Sequence, residues 1–85
     1  MDFKKEVSLT TEATLYSKPG CQQCRATERK LDSEGIKYTY VDVSASAPAL
    51  ATIKDLGYLQ APVVVTASGE HWSGYRPDLI EQHLV

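Results

Sequence analysis

Apolar residues fall along this chain in short bursts, each closed by turn formers. Ala13-Thr14-Leu15-Tyr16 runs into Ser17-Lys18-Pro19-Gly20, which predicts a strand followed by a turn. From Gln22 to Glu34, Gln23, Ala26, Glu28, Arg29 and Lys30 are good helix formers, and Gly35 stands where a left-handed C-cap belongs. Ile36 to Val43 is β-branched and aromatic and predicts a second strand. Ser46 ahead of Ala47-Pro48 reads as an N-cap with proline in the first turn. Leu50, Ile53 and Leu56 then recur at helical spacing before Gly57. Pro62 to Thr66 predicts a third strand, turned back by Ala67-Ser68-Gly69-Glu70 into a fourth at His71-Trp72-Ser73. Pro77 opens a last helix whose Leu79, Ile80, His83 and Leu84 are expected to share one face. Residues 1 to about 11 are polar with no clean period and read as an N-terminal extension or irregular lead-in, ahead of a domain over 12–85.

The predicted order is β-α-β-α-β-β-α. A strand–helix–strand unit requires parallel strands joined by a right-handed crossover, and a four-residue turn requires an antiparallel hairpin. The result is an α/β fold with a four-stranded mixed sheet and helices on both faces. Eighty-five residues fill it with little to spare.

Composition narrows the function. Nine Lys and Arg against eleven Asp and Glu leave a net charge of −2, which offers no basic footprint for nucleic acid and no polybasic segment for an anionic membrane. The longest strongly apolar run, Val63-Val64-Val65, is far short of the roughly 20 residues of a membrane helix. The N-terminus breaks up before any apolar stretch, so no secretory signal and a cytoplasmic address are expected, for a monomer.

Chemistry concentrates in Cys21-Gln22-Gln23-Cys24, where the first strand hands over to the first helix. A spacing of three on a helix sets both sulfurs on one side of its first turn. Cys21 falls at the N-cap or first position, beside N–H groups with no helical partner. Those donors, the helix dipole, and Lys18 and Arg25 nearby all favour a thiolate. Cys24, one turn in, should hold its proton longer, so one sulfur is built to attack and the other to resolve. Three other readings stay open. A zinc site would need His71 and His83, which are poorly spaced for it. A structural disulfide across so small a loop would stabilise little. The third is a pair of buried, inert thiols. The redox reading outweighs them because the motif heads a helix in a βαβ unit. Pro62, at a strand start, and the cluster His71-Trp72-Ser73-Gly74-Tyr75-Arg76-Pro77-Asp78 read by themselves as a strand-edge proline and a structural corner.

Together, Lys18-Pro19-Gly20-Cys21-Gln22-Gln23-Cys24, Gln60-Ala61-Pro62-Val63-Val64 and Trp72-Ser73-Gly74-Tyr75-Arg76-Pro77 resemble the NrdH-redoxins, glutaredoxin-like proteins of the thioredoxin fold that behave as thioredoxins. The likeness runs over about residues 12–85. It implies that Cys21 is the nucleophile and Cys24 the resolving thiol. It also implies a cis bond before Pro62, with the Ala61 backbone left to pair with substrate; Gln23 joins Lys18 and Arg25 as a candidate thiolate-stabilising or substrate-facing residue. Trp72, Ser73 and Arg76 would tie the segment before the last helix to the region of the second helix. The resemblance further implies a redox-active Cys21–Cys24 disulfide with no bound cofactor or metal. Thioredoxin reductase would supply the electrons, holding FAD and using NADPH, and the large subunit of class Ib ribonucleotide reductase would receive them. Two departures are visible: Tyr75 stands where phenylalanine is usual, and the N-terminus is longer. A glutathione-dependent glutaredoxin is the first rival and a metal or iron–sulfur module the second. The first would normally carry a small-residue turn where Gly74-Tyr75-Arg76-Pro77-Asp78 stands.

Overall fold

The computed structural model describes residues 11–85, so the expected N-terminal extension lies almost wholly outside the described residues. The observed elements are β1 (Ala13–Ser17), α1 (Gln22–Ser33), β2 (Tyr38–Asp42), α2 (Ala47–Asp55), β3 (Val63–Thr66), β4 (His71–Ser73) and α3 (Pro77–Leu84). This is the predicted order. The sheet runs β2-β1-β3-β4, with β1 parallel to β2 and antiparallel to β3, and β3 antiparallel to β4. It is the mixed sheet of the thioredoxin fold.

Alternation along the two central strands divides the core. Leu15 lies opposite Val64, and Val64 opposite Trp72, on the face covered by α1 and α3, where Leu31 and Ile80 are fully buried. Tyr16 and Val63 pair on the other face, against Ala49 and Ile53 of α2. Each fully buried Leu or Ile contributes about 1.5–3 kcal/mol relative to exposure. Lys30 of α1 bridges Glu34 of its own helix and Glu81 of α3, joining the two helices on their outer side.

Several boundaries are tighter than the residue pattern suggests. The second strand, expected over Ile36–Val43, pairs only from Tyr38 to Asp42, because Ile36 closes α1 through its N–H to the Leu31 carbonyl and Val43 drops into the α2 side of the core. Pro62 precedes β3 rather than opening it. His83 does not join the buried face of α3. It is exposed, with its ring stacked on Trp72 at a centroid distance of 5.8 Å.

Candidate active site

The site is assembled where β1 ends, α1 begins and β3 begins. Gly20, at φ +75°, takes the left-handed turn that few other residues adopt easily and brings the chain into α1. Cys21 is the N-cap, in extended conformation, and its Sγ accepts the Cys24 N–H at 3.1 Å. A cysteine thus does at this helix start what Ser or Asp usually does, and the amide is aimed at the sulfur. Cys21 is half-buried, while Cys24 is 1% exposed. The two are joined as a disulfide with Cα atoms 5.2 Å apart. Only Cys21 is presented to a partner.

Facing the pair, the Ala61–Pro62 peptide is cis, Pro62 is fully buried, and the Ala61 carbonyl oxygen lies 4.0 Å from Cys21 Sγ. Three successive residues, from the last of β4 onward, hold the rest of the site together. Ser73 Oγ donates to the Gln60 carbonyl (3.3 Å), Gly74 N–H to the Pro62 carbonyl (2.8 Å) and Tyr75 N–H to Gln23 Oε1 (3.1 Å). The turn after β4 therefore grips the loop before the proline, the proline itself and the cysteine helix. Gly74 has φ +86°, and a Cβ there would stand 3.3 Å from Gln23 Oε1, so conformation and close approach both call for glycine.

The motif residues before α3 divide their work differently from what the resemblance implies. Ser73 does reach the loop following α2. Arg76 does not: its Nε and a terminal nitrogen clasp both oxygens of Asp78, two residues on. That pairing holds the Asp78 carboxyl below the usual carboxylate range and raises the guanidinium. Trp72 is 5% exposed and belongs to the core between α1 and α3, with its Nε1 hydrogen meeting no acceptor among the described residues. Lys18 and Arg25 are exposed, and neither makes a hydrogen bond to a sulfur. Arg25 instead lines, with Gln22, Gln23, Ala26 and Arg29, an open hollow of about 430 Å³ on the outer side of α1. No group of three or more His, Cys, Asp or Glu side chains converges as a metal would need, among the described residues.

Two features escape sequence reasoning. Leu59, two residues ahead of Ala61, is 82% exposed, an apolar side chain left in solvent on the segment leading to the site. Tyr58 Oη and His71 Nδ1 are 2.8 Å apart, fastening the same segment to β4. Leu59 is signalled only by its place before the proline. The Tyr58–His71 pair spans two elements and leaves no local signal.

A family model described as Glutaredoxin matches residues 13–72. The glutaredoxin-like protein NrdH of Salmonella typhimurium is 39% identical over 69 residues, covering 81% of this chain and 84% of the relative. The chain is an NrdH-type member of the glutaredoxin family. The Gene 56 protein of Mycobacterium phage D29 is 34% identical, with 88% of this chain and 84% of that protein covered. The solved structure of NrdH-redoxin from Escherichia coli superposes with a TM-score of 0.78 at 33% identity, covering 82% of this chain and 91% of the other. With the Cys21–Cys24 pair in place, this redoxin is a thiol–disulfide oxidoreductase.

Proposed function

We propose that this redoxin carries electrons as a dithiol to the large subunit of a class Ib ribonucleotide reductase, and that thioredoxin reductase restores it, in the cytoplasm and as a monomer. The observation that carries this reading is the closed turn before α3. Its amide at Tyr75 is taken by Gln23 and its amide at Gly74 by Pro62, and Pro77 has none, so little is left for the carboxylates of glutathione. The E. coli NrdH-redoxin that it resembles is described as having a thioredoxin-like activity profile, which supports the same direction.

In the forward reaction the Cys21 thiolate attacks one sulfur of the client disulfide. A Cys21–client S–S bond forms as the client S–S bond breaks, and the second client sulfur leaves as a thiolate. Cys24 then gives up its proton to solvent and attacks Cys21 Sγ. The Cys21–Cys24 bond forms and the other client sulfur departs, so two electrons have passed to the client. The backbone amide of Cys24, 3.1 Å from Cys21 Sγ, favours the charged sulfur before attack and again when Cys21 is the leaving group on re-reduction. This chain supplies only its two thiols. NADPH and FAD enter through the reductase.

A coupled NADPH-oxidation assay decides between electron sources. Rapid turnover with thioredoxin reductase at micromolar redoxin, and slow turnover with millimolar glutathione and its reductase, is the expected result. The reverse pattern would leave a divergent glutathione-dependent glutaredoxin. Metal analysis and a visible spectrum of the purified protein test the iron–sulfur alternative.

A further inference from the structure

The second residue between the cysteines has a use beyond spacing them. We propose that Gln23 is a specificity-determining positioning residue: its side-chain carboxamide occupies, from within the protein, the backbone donor at Tyr75 that a carboxylate-bearing small thiol would otherwise take. The inference deepens the functional reading above and rests on it.

Most backbone donors of this turn are already taken. Gly74 N–H goes to the Pro62 carbonyl, Tyr75 N–H to Gln23 Oε1, and Leu79 and Ile80 N–H to the Arg76 carbonyl. Pro77 contributes none. The remaining amides, of Arg76 and Asp78, share their turn with the Asp78 carboxylate, whose charge opposes a second anion. Asp78 also takes the Arg76 guanidinium, the cation of the turn itself. Tyr75 N–H is therefore a donor of the turn that an exposed side chain from another element covers. Gln23 is that side chain, exposed on the first turn of α1 and held at 3.1 Å from an amide 52 positions away. The glycine at 74 lets the carboxamide approach this closely. A neutral acceptor in this place satisfies the amide without adding charge next to the Cys21 thiolate. A glutamate would satisfy it too, at the cost of a negative charge beside that sulfur.

The test uses S-methylglutathione, which keeps both carboxylates of glutathione but cannot exchange thiols. It is titrated into oxidised, isotope-labelled protein while the backbone amide resonances are followed. Gln23→Ala and Gln23→Asn, the latter one methylene too short to reach, are expected to bind at least about tenfold more tightly than the wild type, about 1.4 kcal/mol. Saturation should be centred on the Tyr75 amide. Gln23→Glu, which keeps an acceptor at the same reach, should show no gain. Equal affinity of wild type, Gln23→Ala and Gln23→Asn would overturn the proposal. So would a gain in Gln23→Glu matching that in Gln23→Ala, or binding that leaves the Tyr75 amide unmoved. Because the titration has no redox step and no reductase, a failure of the electron-source reading would show in the coupled assay and leave this result standing.

Discussion

The N-cap position of Cys21 makes a quantitative demand on its acidity. In a Cys24→Ser variant Cys21 is the only thiol, and the backbone amide that points at its sulfur is retained. A hydrogen bond to a charged acceptor contributes about 1.5–3 kcal/mol net, and a helix dipole about 0.3–1 kcal/mol at an exposed terminus. Both effects draw on the same N–H groups, and partial burial of Cys21 opposes them, so about 1.5–2.5 kcal/mol is a fair total. At 1.36 kcal/mol for each pKa unit this lowers the thiol by about one to two units, from about 8.5 to about 6.5–7.5. For a pKa of about 7, the thiolate fraction at neutral pH rises from about 3% to about 50%, some sixteenfold. Lower intrinsic nucleophilicity, with a Brønsted coefficient of about 0.4–0.5, returns about fivefold of this, leaving a net gain in attack rate of about threefold. The assay is thiolate ultraviolet absorbance against pH, run beside the rate of reaction with a small disulfide. Both curves should share one midpoint in the stated range. A midpoint at about 8.5 or above would refute the argument that the capping geometry activates this sulfur.

Three further outcomes are expected. Cys21→Ser should abolish disulfide reduction, whereas Cys24→Ser should accumulate a stable mixed disulfide with its client, read by mass spectrometry; an adduct in the first and none in the second would reverse the two roles. Leu31→Ala, which empties a fully buried position beneath α1, should lower stability by about 2–5 kcal/mol in urea unfolding, and a loss below about 1 kcal/mol would mean that α1 repacks over the gap. Glu70 accepts hydrogen bonds from Ser68 and Thr66, which pull its carboxyl down to about 2. Its contribution to stability should therefore be complete above its ordinary 4.5 and fade as the pH falls through about 2, so Glu70→Gln should flatten that acid limb of the unfolding midpoint.

What this chain's sequence determines by itself is whatever local energies decide. The order of elements follows from β-branched runs, from Ser46 and Pro48 at the start of α2, and from Gly35 after α1, each acting over a few residues. The unequal cysteines are legible for the same reason, since the N-cap lies three residues from the buried partner on one helical turn. Where the β1–β2 pair meets the β3–β4 hairpin, and which backbone donors the site retains, are settled only by packing. Nothing in the local run of residues 13–17 says that β1 will lie between β2 and β3. That follows from burying Leu15 and Tyr16 on opposite faces at once. Ile36 and Val43 are as β-prone as their neighbours, so local propensity does not mark the ends of β2; in the structure both are buried in the core outside the strand. Gln23 looks, as sequence, like an exposed helix former. Only the closure of the sheet brings Tyr75 to it across 52 positions, where an otherwise unpaired amide makes the contact worth keeping. Arg76 shows the converse: a charged group with an acidic neighbour two residues away pairs locally, and the longer reach that the motif implies is not made.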